Sequence, residues 1–421
     1  MRHLYSAIYL SLLPIILLRL WWLGRGNPDY RRRWQERIGR YSRTQPGIPP
    51  IWIHAVSVGE VAAAVPLVKA LRDQSHAQPI LFTTTTPTGR DAVDRQFGQG
   101  VFHVYFPYDV GFIIRRFLAH HRPRALLLME TELWPNAIEC CRQRNVSVFL
   151  INGRLSASSA RRYRWLQPLT RRMLASLTHA AMQSAADAHR LGMLGADPAA
   201  VTVTGSLKFD VHVPASLFEE AAALRRDLGL SRPLFMAGST RVGEEARILD
   251  VYAILKRQIP SLLMILAPRH PERFAEVGEL CRHCGLHTRL RSAGQICAPE
   301  VDVLVLDTMG EMMRFYAASD VAFVGGSLVP LGGQNVLEPA AVGVPVVVGP
   351  HVFNFMEITD KLVMGGALKI ADNEQAIAEI IATWLGDSDA RDQAGRRGRE
   401  IIESNRGATQ RVLALLNARG V

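Results

Sequence analysis

Residues Ile51–Glu60 read IWIHAVSVGE. The stretch opens on β-branched and aromatic residues, passes through small ones, and reaches a glutamate where a helical pattern begins. That is a strand running into a helix. The same alternation recurs outward from it. PILFTTT, VFHVYF, ALLLME, VSVFLI, HAAMQS and VTVTGS are short apolar runs, with segments of helical period between most of them, such as 60–72 and 135–144. The pattern breaks near 205–232 and restarts with PLFMAG, LLMILAP, DVLVLD, DVAFVGG and VPVVVG. Repeated strand–helix units imply a parallel sheet covered on both faces. Occurring twice over 421 residues, they predict two doubly wound α/β domains. The boundaries expected from the pattern are an N-terminal segment 1–24, a first domain 25–210, a linker 211–232 and a second domain 233–421.

Residues 4–24, LYSAIYLSLLPIILLRLWWLG, are long enough to span a bilayer, which takes about 20 residues. Arg19 stands near the end, where it can snorkel, and Trp21 and Trp22 suit an interfacial belt. The basic run RGNPDYRRRWQERIGRYSR follows, which puts the body on the cytoplasmic side. A cleaved signal peptide is disfavoured, because the charge follows the apolar run and no small-x-small site is present. Pro14 and Arg19 also permit a helix lying in one leaflet. The formal net charge of +11 favours anionic partners: nucleic acid, acidic lipid or phosphorylated substrates. Five irregularly spaced cysteines (140, 141, 281, 284 and 297) suit a reducing compartment. Cys281 and Cys284 have zinc-knuckle spacing but no second pair, so helix-face cysteines are the better reading and no metal site is expected.

Ligands of doubly wound sheets bind beyond the carboxyl ends of the strands, and the polar loops of this sequence fall there. Glu60 is either an acid favouring a helix start or a general base behind the small residues of VSVG. Glu130 and Glu132 in METELWPN can cap the helix beginning at Pro135 or serve a site; both reach the cleft if the strand persists, and only one serves it if the chain turns at Thr131. Lys208 in GSLKFD is a linker lysine or a cation at the floor of a cleft. Arg269 in APRHPER stands at a strand end, where a guanidinium can pair with a phosphate. GGQNVLEPA (332–340) is a glycine-rich turn into a helix, with Asn335 able to cap and Glu338 able to grip a ribose diol. It lacks the Lys-Ser/Thr of a P-loop, and no Gly-x-Gly-x-x-Gly follows the first strand.

HAVSVGE, TTTPTG, METELWPN, GSLKFD, APRHPER, DTMGEM, GGSLVPLGGQNVLEPA and Asn354–Phe355 occur in this order over nearly the whole chain. Together they resemble the 3-deoxy-D-manno-oct-2-ulosonic acid (Kdo) transferases of lipopolysaccharide synthesis. The resemblance implies a GT-B-like fold, two Rossmann-like domains facing a cleft, with acceptor in the first half and nucleotide in the second. It implies transfer of Kdo from CMP-Kdo to a lipid A precursor of lipid IVA type, at an anionic inner-membrane surface, with no cofactor, metal or nucleic acid. Carried over by position, Glu60 matches the proposed catalytic base, and Glu130 and Lys208 match groups assigned to transition-state stabilisation. Pro268 and Arg269, Met309, Gly310 and Glu311, and Asn335, Val336, Leu337 and Glu338 match CMP-binding runs. Gln334 departs from the family's usual His and is left out of the site. The basic, amphipathic stretch 152–177 is a candidate for resting on the leaflet. Rival readings are a nucleotide-sugar epimerase of the same architecture and a membrane-bound binding protein without catalysis.

Overall fold

The computed structural model describes residues 2–41, 47–75, 77–229, 231–294 and 298–421. The chain forms two compact units, Met1–Asp210 with Asn405–Val421, and Val211–Ser404. Each is built on a seven-stranded, wholly parallel sheet.

In the first unit the strands are β1 (Ile51–His54), β2 (Ile80–Thr84), β3 (Phe102–Tyr105), β4 (Ala125–Met129), β5 (Ser147–Gly153), β6 (His179–Met182) and β7 (Val201–Val203). The helices are α1 (Arg2–Gly26), α2 (Val58–Gln74), α3 (Pro87–Phe97), α4 (Gly111–His121), α5 (Pro135–Gln143), α6 (Ala157–Trp165), α7 (Gln167–Leu174) and α8 (Ala185–Met193). The strand order is β3-β2-β1-β4-β5-β6-β7, so the order reverses between β1 and β4. Ile51 pairs with Ile80 on one side and Ala125 on the other. Alternate residues feed two cores: Ile51, Ile53, Leu127 and Met129 face α2, while Trp52, Leu126 and Leu128 face α4 and α5. Burial on both faces is why the central strands read as unbroken apolar runs.

The second unit contains α9 (Leu217–Leu228), α10 (Glu245–Gln258), α11 (Phe274–His283), α12 (Met312–Ala318), α13 (Leu337–Ala341), α14 (Met356–Met364), α15 (Glu374–Gly386) and α16 (Ser388–Asn405). Its strands are β8 (Leu234–Thr240), β9 (Leu263–Pro268), β10 (Thr288–Leu290), β11 (Val303–Val305), β12 (Val321–Val324), β13 (Val346–Val348) and β14 (Leu368–Ile370). The order β10-β11-β9-β8-β12-β13-β14 reverses between β8 and β12.

Three features differ from the sequence expectation. The edge strands β10 and β14 were not expected; each has three residues and a half-exposed pattern that no apolar run announces. The segment 211–232 is not a free linker. Its helix α9 buries Leu217, Ala221, Leu224 and Leu228, at helical spacing, in the second unit's core. The second domain does not run to 421. A final helix, α17 (Ala408–Asn417), sets Ala408, Val412, Leu413 and Leu416 into the core beside α2 in the first unit. Asp210 fixes that return, accepting bonds from Gly407 N (2.7 Å) and Thr409 N (2.6 Å).

Cys140, Cys141 and Cys281 are buried free thiols and Cys284 is exposed. Cys297 lies outside the described residues, as do Ser42 and Arg43 of the basic run. Among the described residues, no group of three or more His, Cys, Asp or Glu is placed to hold a metal ion.

Candidate active site

In the first unit the site residues collect at the β1/β4 reversal, where such sheets open a crevice. Ser57 caps α2, its Oγ accepting from Glu60 N at 3.3 Å. The Glu60 carboxylate turns back toward the strand: Val56 N donates to Oε2 at 2.7 Å and Ser57 Oγ to Oε1 at 3.0 Å. This is close to a capping box, so the helix-start reading of Glu60 holds locally. The site adds burial. Glu60 is 8% exposed. Burial pushes its pKa up to about 7, against the pull of the Val56 N–H, and the charges of Glu132 and Glu130 push the same way. A carboxyl titrating near neutrality can both take and return a proton.

Glu130 follows β4 directly. Its N–H donates to Ile151 O at 2.9 Å, and its backbone turns into the left-handed region (φ 55°). The turn therefore comes one residue before Thr131. Thr131 is held by its own hydroxyl to Arg154 O and by Tyr163 Oη, which donates to Thr131 O at 3.3 Å. Neither glutamate caps α5. That task falls to buried Asp109, which accepts from Asn136 N (3.0 Å) and Ala137 N (2.7 Å). Burial raises the Asp109 pKa to about 6 despite these bonds. Both glutamates are thus left for the crevice. Glu132 is half-buried, and burial, with the charge of Glu130 adding, raises it to about 7.

Lys208 Nζ lies 3.1 Å from Glu130 Oε1, both side chains largely shielded. The pairing joins residues from the ends of β4 and β7. Lys208 sits in a tight turn, Leu207–Phe209, braced from two sides. Leu207 N donates to Asn152 Oδ1 at 3.0 Å, and Asn152 is fully buried with φ 56°. On the other side, Asp210 caps the returning α17, and Arg411 donates to Thr204 O at 2.8 Å. Asn152 and Asp210 brace the Lys208 turn, and nothing in the sequence pattern singled them out as partners of it. An Asn-Gly pair closing a strand signals the left-handed residue; nothing local signals the partner of Asp210.

In the second unit the expected nucleotide residues line the carboxyl edge of the sheet. Glu244, also unexpected, is fully buried and organises the β8/β12 reversal. Its carboxylate accepts from Arg241 N (2.9 Å), Gly326 N (2.6 Å), Ser327 N (2.9 Å) and Leu328 N (2.8 Å). This fixes the glycine-rich loop after β12. A Cβ on Gly325 would lie 2.6 Å from Ser239 O, so only glycine allows that approach. Asn354 straps the far end, its N–H donating to Gly332 O (3.0 Å) and its amide to Leu331 O (2.9 Å).

Asn335 Oδ1 accepts from Leu337 N at 3.1 Å, and its amide donates to Glu338 Oε1 at 3.0 Å. Burial raises the pKa of Glu338; the Asn335 bond and the charge of Arg269 lower it. Arg269 and Glu338, 69 positions apart in the chain, thus act on each other at one edge of the sheet. Arg269 is exposed just beyond Pro268, which ends β9. Val336 and Leu337 are core residues, 1% and 2% exposed, so only their backbone can face a ligand. On the loop after β11, Met309 is 70% exposed and Gly310 has φ 86°. Glu311 is engaged within the unit by Arg291 (3.3 Å), Arg314 and Thr308, which makes it a loop anchor.

Residues 32–211 match the family model for 3-deoxy-D-manno-octulosonic-acid transferase (kdotransferase), and 247–401 match glycosyl transferases group 1. The 3-deoxy-D-manno-octulosonic acid transferase of Haemophilus influenzae is 39% identical over 419 residues, 99% of this chain and 98% of its own. That of Bordetella pertussis is 39% identical over 428 residues, with 99% and 98% covered. Among solved structures, Acinetobacter baumannii MurG has a TM-score of 0.56 at 12% identity, covering 88% of this chain and 99% of its own. The UDP-GlcNAc 2-epimerase of Neisseria meningitidis has a TM-score of 0.54 at 12% identity, covering 88% and 100%. These two likenesses establish the GT-B-like fold of paired Rossmann-like domains and nothing of the chemistry. The sequence matches go further: the chain belongs to the 3-deoxy-D-manno-octulosonic acid transferase family.

Proposed function

We propose that this protein transfers Kdo from CMP-Kdo to a lipid A precursor of lipid IVA type, with inversion, at the cytoplasmic face of the inner membrane. One observation carries the reading. Glu60 is a buried carboxyl with a pKa of about 7, next to the Glu130–Lys208 pair, at the crevice of the first unit. In this mechanism the acceptor hydroxyl gives its proton to ionised Glu60 as its oxygen bonds to the anomeric carbon of Kdo. The bond from that carbon to the CMP phosphate oxygen breaks, and CMP leaves with the electron pair. The anomeric centre passes through an oxocarbenium-like state, as in glycoside hydrolysis. Lys208, held in place by Glu130, offsets negative charge as it develops.

The donor belongs to the second unit. Arg269 pairs with the CMP phosphate, Glu338 with the ribose diol, and the backbone around Asn335–Leu337 and Pro268, with the Met309–Glu311 loop, encloses the nucleotide. The acceptor is anionic and lipid-bound. Helices α6 and α7 carry Arg161, Arg162, Arg164, Arg171 and Arg172 around Trp165, which is 89% exposed. A basic surface with a protruding Trp suits an anionic leaflet.

The test is product mass. Full-length protein with CMP-Kdo and lipid IVA in vesicles should add the mass of whole Kdo units to the lipid and release CMP. Sugar altered without acceptor would indicate an epimerase, and no reaction with bound CMP-Kdo a binding protein; either result overturns the proposal.

A further inference from the structure

Helix α1 is fastened to the first unit near its start, and its far end is held by the chain that follows it. Near its start, Tyr5 packs against the apolar core beneath α4 and α5. Ser6 Oγ donates to Asn136 Oδ1 at 3.1 Å, and the Tyr9 ring lies 6.5 Å from that of Tyr108. At its far end the chain doubles back. The Arg31 guanidinium donates twice to Trp21 O (3.1 and 2.9 Å) and stacks 4.4 Å from the Trp21 ring centre. Between the two ends, the half-buried positions include Tyr9, Leu13, Ile16, Leu17 and Leu20, which share one helix face. Leu4, Ile8, Ile15, Leu18 and Trp22 stand exposed on the opposite side.

This attachment bears on how the helix meets the membrane. Twenty-five residues make a rod about 37 Å long. Suppose α1 crossed the bilayer with the body in the cytoplasm. Tyr5, Ser6 and Tyr9, about 25–30 Å along the rod from Gly26, would then lie deep in or across the hydrocarbon, out of reach of Tyr108 and Asn136. The contacts of Tyr5, Ser6 and Tyr9 therefore keep the start of the helix on the same side of the bilayer as the body.

We infer that α1 is a monotopic anchor: it lies in the plane of the cytoplasmic leaflet, docked on the first unit through its first turns, with lipid covering its outward apolar stripe. The inference rests on the membrane reading proposed above. The charges along α1 are all basic, including Arg19 and Arg25, with no acid to pair with those of a second copy. Anionic headgroups complement them, and Trp21 and Trp22 suit the headgroup level. The placement also serves the acceptor. Ser6 docks on Asn136 at the start of α5, directly after the loop of Glu130 and Glu132. Helix α7 holds the same helix through Arg172 and Glu139, 3.3 Å apart. Both membrane-facing elements thus pack on α5, keeping the acceptor loop at the lipid surface.

The test is topology. A protease-cleavable epitope is placed before Met1 of the full-length protein, and protease is added to inverted membrane vesicles and to intact spheroplasts. A leaflet-bound helix leaves the epitope cleavable only in inverted vesicles. In the same membranes, the double variant Ser6→Cys/Asn136→Cys should form an intramolecular disulfide on oxidation. Cleavage only from the outer side of spheroplasts overturns the inference while leaving membrane attachment intact. Recovery of the protein in the soluble fraction overturns the membrane reading itself, and the inference with it.

Discussion

Replacing Glu60 by Gln separates the two roles that this residue combines. Gln keeps the shape: its carbonyl can accept from Val56 N and its amide can donate to Ser57 Oγ, the two partners of the native carboxylate. What it loses is the ability to take a proton. As the general base, Glu60 should cost turnover about 10²–10⁴-fold when replaced. The effect on stability has the opposite sign. The Glu60 pKa in the folded state is about 7, against an ordinary 4.5. A carboxyl raised by folding favours the folded state while protonated, and that contribution is lost as pH rises from about 4.5 through about 7. At about 1.4 kcal/mol per pH unit, ionising Glu60 in place costs about 3 kcal/mol. Glu60→Gln should therefore resist urea better than the wild type at pH 8.5, by up to about that amount, with the gap shrinking to about 1 kcal/mol or less at pH 5. Wild-type turnover should climb with pH through the neutral range as Glu60 ionises, and the variant's residual turnover should not. The assays are Kdo-lipid formation against pH and urea unfolding at both pH values. Near-normal turnover in folded Glu60→Gln would refute the base assignment, and a variant weaker at pH 8.5 would refute the burial argument.

Lys208→Ala should lower turnover by more than tenfold while changing stability by about 1 kcal/mol or less, because the Glu130 pair remains partly exposed; steady-state rates and urea midpoints check both. Asp210→Ala removes two bonds that tie α17 to the Lys208 turn, and should cost about 1–2 kcal/mol in urea unfolding together with a fall in turnover at unchanged CMP affinity. Arg269→Ala and Glu338→Ala should each weaken CMP binding by about 1.5–3 kcal/mol in calorimetry, leaving the unfolding of the first unit unchanged.

The sequence by itself determined the repeated strand–helix layout, because central strands of a parallel sheet are buried on both faces and must be apolar throughout. It also placed Glu130, Lys208 and Arg269 in turns beyond strand ends, and Glu60 and Glu338 in the first turns of the helices that follow, since the strand–loop–helix order is local. Edge strands escaped this reading: β10 and β14 are short and half-exposed, so their pairing leaves no hydrophobic trace. Only the tertiary structure decided which residues meet. Asp109 takes the cap of α5 from a loop 26 positions upstream, which releases Glu130 and Glu132 for the crevice. Glu130 finds Lys208 at the end of another strand. The last helix returns to the first unit because Asp210 caps it and its leucines complete the core beside α2. Likewise α1 carries the length and composition of a membrane span, yet its tyrosines and Ser6 bind the body it would have to leave. Periodicity reports how deeply a residue is buried, not what buries it; that partner is fixed only when distant segments close on one another.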